Sequence, residues 1–182
     1  MHDELSPVSF PVSVKVLPSR GLPVRIDADA RARARLAQVH GLESVESFVA
    51  DLLVTRWKKD GVRVAGTVAA EIVQLCVVTL EPITNKVEAE IDAILLPENS
   101  RLARPRTVEG EIIIDAEGAD LPDTFEGGEI DAGAIAEEHF ELAVDPYPRK
   151  PGAALPDASG EDEPGRENPF AKLAALRKDD GK

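Results

Sequence analysis

Between residues 62 and 77 the apolar side chains fall on every second position. Val62, Val64, Val68, Ala70 and Ile72 share one parity, and Arg63, Thr67 and Glu71 occupy the other. This is the two-residue period of a strand with one buried face, and Gly66 within it predicts a bend or bulge. Thr79, Leu80, Glu81 and Pro82 turn the chain. Val87, Ala89, Ile91, Ala93 and Leu95 then alternate with Lys86, Glu88, Glu90 and Asp92. The two runs predict a long antiparallel central hairpin. Before it, residues 10–17 alternate through Val12, Val14 and Val16, a strand ended by Pro18 and by Gly21, Leu22 and Pro23. Asp27 or Asp29 can cap a helix over residues 30–40, with Leu36 and Val39 inward and Gly41 as its stop. Ser44 can cap a second helix, since Val45, Phe48, Val49, Leu52 and Leu53 fall at helical spacing, with strand character beginning at 54–58. Lys59, Asp60 and Gly61 read as a tight turn.

Past the hairpin, residues 97–107 read as a loop, 111–115 as a short strand and 116–128 as an acidic loop. Asp131 caps a helix over 132–144 that faces Ile135, His139 and Leu142 inward, and Asp145, Pro146, Tyr147 and Pro148 stop it. The pattern predicts an α+β domain over residues 1–152: an antiparallel, strongly curved sheet, partly open and barrel-like, with a few helices. Residues 153–167, rich in Pro, Gly and acid, have too few bulky side chains to fold alone and predict a disordered linker. Asn168 and Pro169 then open a short amphipathic helix over 168–178 carrying Phe170 and Leu173, too short to be stable in water without a docking surface.

Composition narrows the picture. The chain has 182 residues and an apolar fraction of 43% with few aromatics, so one aliphatic core is expected. Its single cysteine, Cys76, excludes an internal disulfide, and its start lacks a signal-peptide pattern, which predicts a cytoplasmic protein. No apolar run reaches the length of a membrane span. The net charge of −13 is unevenly held: residues 88–145 carry 17 Asp+Glu against 3 Lys+Arg, whereas residues 1–87 carry 10 against 11. The acidic segment repels RNA phosphate and attracts basic surfaces, or is a solubilising face.

Little in the sequence points to catalysis. His2, His40 and His139 lie far apart and away from Cys76, and no phosphate loop, nucleophile elbow or dinucleotide fingerprint is present. No metal, cofactor or small-molecule substrate is expected. Carboxylates crowd residues 88–145 because the segment is acidic, so choosing two as acid and base is arbitrary. Cys76 reads as a buried, inert thiol. Tyr147, Arg149 and Lys150 sit among Pro148, Pro151 and Gly152. Two readings fit them equally: an aromatic and two cations set to stack on a base and touch phosphate, or a rigid exit from the last helix. Arg31 and Arg35, at i, i+4, can share a helix face.

Three stretches carry a resemblance. Residues 74–82 (QLCVVTLEP), 145–152 (DPYPRKPG) and 168–173 (NPFAKL) are similar in order and spacing to the YceD family, especially to its alphaproteobacterial members. The family pattern of Cys, two residues, Cys, Leu, one residue and Pro maps to Cys76, Thr79, Leu80 and Pro82, with Glu81 between the last two. Thr79 stands where many members carry a second cysteine, which puts any metal or redox role in doubt. The resemblance implies a ribosome biogenesis factor supporting synthesis, processing or stability of large-subunit (23S) ribosomal RNA, and supplies no catalytic residues. The expected partner is a ribosomal precursor, reached through a basic ribosomal or assembly protein or through RNA directly, by Tyr147, Arg149, Lys150, Arg31, Arg35, Phe170 and Leu173. The competing class is a metal-dependent hydrolase or nuclease using an acidic cluster in 88–145.

Overall fold

The computed structural model describes residues 5–100, 107–108, 111–112 and 122–154. Contacts divide the chain into Met1–Lys150 and Pro151–Lys182, and every element named below lies in the first. In order these are β1 (Pro11–Ser13), β2 (Leu22–Asp27), α1 (Ala30–Val39), β3 (Ser44–Trp57), β4 (Gly61–Leu75), β5 (Pro82–Pro97), β6 (Thr107–Val108), β7 (Glu111–Ile112), β8 (Asp123–Phe125), β9 (Glu129–Asp131) and α2 (Ala132–Ala143).

The main sheet runs β2-β3-β4-β5-β8, antiparallel up to β5 and parallel where β8 joins β5 at Leu95–Pro97. The central hairpin of β4 and β5 is as the alternation predicts, and the buried parity of β4 runs on through Gln74 to Cys76. The protein is mixed α+β with a mostly sheet core and two helices. A strongly curved, barrel-like sheet is not found: it is open, with β2 and β8 at its edges. Helices explain why. α1 packs on β3, and α2 packs on β4 and β5. They cover the apolar face that closure would otherwise have had to bury.

The expected second helix over 44–53 is instead the long strand β3. Its inward residues are Val45, Phe48, Ala50, Leu52 and Val54. From Phe48 onward they alternate, but a register shift between Val45 and Ser47 adds a residue, so the first step is three. That β-bulge imitates helical spacing in the sequence. Gly66, in contrast, is no bulge. It pairs with Leu52 in unbroken register, and a Cβ there would stand 2.1 Å from the Asp51 carbonyl oxygen. In the hairpin turn the left-handed residue is Lys58, and Gly61 is needed for close approach to Leu96 and Trp57.

At the start of the chain, β1 is only three residues long and Val14–Val16 form a 3-10 turn that leaves Val16 exposed. Leu22 and Pro23, expected to break the chain, open β2, an edge strand that tolerates proline because one side of it needs no partner. Asp29 caps α1 by accepting the Ala32 N–H at 2.7 Å, and Leu36 is buried, but Val39 is 59% exposed. In α2, Phe140 rather than Leu142 points inward and meets Phe48 edge-to-face at 5.5 Å. The β6–β7 pair is described, whereas residues 113–121 and the expected linker and helix over 155–178 lie outside the described residues.

Candidate functional site

The inward parity of β4 carries Cys76 just past the strand end, where it is fully buried. Its N–H donates to the Glu81 carbonyl at 2.8 Å, and its own carbonyl accepts the Leu80 N–H at 2.9 Å, so residues 76–81 close on themselves. Closure puts Leu80 at a φ of 57°, the left-handed region that a branched side chain rarely adopts, with 71% of the residue exposed.

The segment after α2 braces this loop. Gln74 Nε2 donates to the Asp145 carbonyl at 2.9 Å, and the Val77 N–H to the Pro148 carbonyl at 2.9 Å. Asn85 Nδ2 in turn holds Gln74 Oε1 at 3.0 Å. The Lys150 N–H points at Cys76 Sγ at 3.3 Å, and Lys150 Nζ reaches Glu81 Oε2 at 2.8 Å. Asp145 Oδ1 accepts the Tyr147 N–H at 2.9 Å, which fixes the turn, buries Pro148 and leaves Tyr147 70% exposed. Two stretches about seventy residues apart are thus hydrogen-bonded into one turn with Leu80 and Tyr147 in solvent.

Its electrostatics follow from the donors. The Lys150 N–H, then the Thr79 hydroxyl and N–H, stabilise the Cys76 thiolate against the cost of desolvation and bring the thiol down to about 6. The thiol is buried as the sequence predicts, and its main donor, 74 residues away, leaves no local signal. Hydrogen bonding and charge from Lys150 hold Glu81 below the usual carboxylate range and raise Lys150 in return.

A second cluster went unread in the sequence. Ser6 Oγ donates to Glu137 Oε2, while Glu137 Oε1 meets His40 Nε2 at 2.9 Å. Asp131, capping α2 through the Gly133 and Ala134 N–H groups, also accepts the Phe10 N–H at 2.8 Å and the Ser9 hydroxyl at 2.6 Å. Burial pushes both carboxyls up, but these donors outweigh it and leave each below its ordinary range. The histidine faces the glutamate and does not touch the serine, so the arrangement ties the segment before β1 to α1 and α2 and is no nucleophilic triad. Partners 97 and 131 residues away in the chain leave no local signal.

Arg31 and Arg35 do share a face, lining a shallow groove with Asp27 and Asp29, apart from Tyr147, Arg149 and Lys150. Among the described residues no group of three or more His, Cys, Asp or Glu is placed to hold a metal ion. No described helix is long and apolar enough to cross a membrane. Phe170 and Leu173 lie outside the described residues.

Fold and site define an open-sheet α+β protein whose distinguishing feature is a thiol-centred turn locked to the chain that follows its last helix. The chain belongs to the YceD family, large ribosomal RNA subunit accumulation protein YceD, whose family model matches residues 64–177, well over half of it. That span contains both halves of the locked turn. Its role is therefore in ribosome biogenesis, in the accumulation of large-subunit (23S) ribosomal RNA. No curated protein and no solved structure matches the chain.

Proposed function

We propose that the protein supports 23S ribosomal RNA as a non-catalytic cytoplasmic binding module that engages the ribosomal precursor through a protein, using the locked turn as its contact. The observation that carries this reading is the exposure of Leu80 and Tyr147 on a hydrogen-bonded scaffold. Large apolar groups held rigidly in water are suited to recognition, since little conformational entropy is lost when they are covered.

Charge favours a protein over naked RNA. Lys150 is paired with Glu81, Arg63 with Asp92 at 2.6 Å, and Arg56 and Arg33 donate to backbone carbonyls, so much of the basic set is already engaged. The acidic residues 88–145 repel phosphate and suit a basic protein. The competing nuclease reading has no group of three or more His, Cys, Asp or Glu placed to hold a metal ion among the described residues in its support.

The test replaces Leu80→Ser and Tyr147→Ser together in cells that depend on this protein. Mature 23S RNA should fall towards the level of the deletion strain while the purified variant keeps its thermal midpoint. Normal 23S RNA in the double variant would remove the locked turn as the contact. Tight, steeply salt-dependent binding of the purified protein to naked large-subunit RNA would replace the protein partner with RNA.

A further inference from the structure

Beside the locked turn, the end of α1 and the loop after it, the end of β4 and the end of α2 enclose an open groove of about 500 Å³. Three side chains on it are apolar and outward: Val39 is 59% exposed, Leu75 42% and Val77 44%. Its carboxylates are Glu43, Glu141 and Asp145, and among the described residues no Lys or Arg lines it. Glu141 keeps 69% of its side chain in solvent although it stands 3.9 Å from His40 Nδ1.

We infer that this groove is a peptide-docking site for a basic, amphipathic helical segment of a partner protein. Three features select that occupant. An apolar floor of aliphatic residues matches a stripe of Leu or Ile at i, i+3, i+4 and i+7. Three carboxylates, with no Lys or Arg among the described lining residues, complement Lys and Arg flanking the stripe and oppose both phosphate backbones and acidic peptides. The groove is open to solvent, which gives a small metabolite too little enclosure. The inference rests on the protein-mediated reading above and names the chemistry of the partner. The locked turn then supplies one wall and the Leu80 and Tyr147 contacts next to it.

The experiment uses the full chain and a fluorescent synthetic helix with leucines at i, i+3, i+4 and i+7 and lysine or arginine elsewhere. A scrambled peptide and one with glutamate in place of the cations serve as controls. The patterned basic helix should bind, and binding should weaken with salt. It should weaken about tenfold or more in Leu75→Asp/Val77→Asp and in Glu43→Lys/Glu141→Lys. Val39→Asp, exposed on the last turn of α1, repeats the measurement should the strand variant unfold. Equal binding of the scrambled peptide, or undiminished binding by folded groove variants, overturns the inference. So does binding that appears only after residues 155–182 are removed, which would give the groove to the chain's own tail. In cells, groove variants that keep 23S RNA normal while the Leu80/Tyr147 variant loses it would sink the groove alone. Normal RNA in both would sink the locked-turn reading as well.

Discussion

The protein ties distant parts of its chain together at two places, and the two are built from opposite materials. At the clamp, partly buried carboxylates of Asp131 and Glu137 collect donors from Ser6, Ser9, Phe10 and His40, and charge is turned inward and satisfied. At the locked turn backbone bonds and a backbone bond to a thiol stand beside amide and lysine side chains, and what faces outward is Leu80 and Tyr147. The first arrangement holds the fold together. The second spends part of that stability on presenting a surface, and this is how a site without catalytic groups can be recognised.

The largest effect should come from the clamp. A Cβ at Gly133 would stand 1.9 Å from the Val8 carbonyl oxygen, so Gly133→Ala forces backbone apart and should lower stability by about 3 kcal/mol in urea unfolding. A wild-type midpoint would mean that the segment before β1 can move off α2 at no cost. Asp131→Ala removes a cap that also holds Ser9 and Phe10, and should cost about 2 kcal/mol, the upper end for caps. Neither change alters a residue of the locked turn.

The reverse outcome is expected at Leu80. Leu80→Gly relieves the left-handed strain and should raise stability by about 1 kcal/mol while lowering 23S RNA accumulation. If stability and function fell together, the strained leucine would be a structural residue and the contrast between the two junctions would fail.

The most discriminating difference is in pH. Asp131 and Glu137 have folded pKa values below their unfolded ones, so their stabilisation is complete above about pH 4.5 and is lost as pH falls below it. Cys76, at about 6 in the fold against an ordinary thiol value of about 8.5, adds stability that grows between those limits and disappears as pH falls through 6. Thermal midpoints against pH should therefore rise in two separate windows. Glu137→Gln should flatten only the acid one, and Cys76→Ala only the one above pH 6.

Sequence periodicity revealed the parts of the fold whose partners are near. The central hairpin, the Asp29 and Asp131 caps and both helices were legible because alternation, caps and turns are local signals. β3 was misread because one bulge at its start turned a two-residue step into a three-residue one, which is the helix signature. β2 was missed because Pro23 counts as a breaker except on an edge, and edge position is a property of the assembled sheet. For the site, the motif residues Cys76 to Pro82 and Tyr147 to Lys150 were identified separately. Their contact was not, since a backbone N–H reaching a thiol leaves no mark on residue identity. Lys150 fitted two readings, a phosphate contact or part of a rigid exit from the last helix, and the fold sets its ammonium beside Glu81.

The bond from Ser9 to Asp131 spans 122 residues, whereas β3, β4 and β5 are joined in sequence order by short hairpin turns. Local pairings lose little chain entropy on closing, but a contact of that span restricts almost the whole domain and forms late in folding. The turn is braced by a contact of the same kind, the Lys150 N–H reaching Cys76 from 74 residues away, so it too closes late. A chain emerging from synthesis would therefore acquire its binding surface only late in folding. Immature copies would be unable to engage a ribosomal precursor.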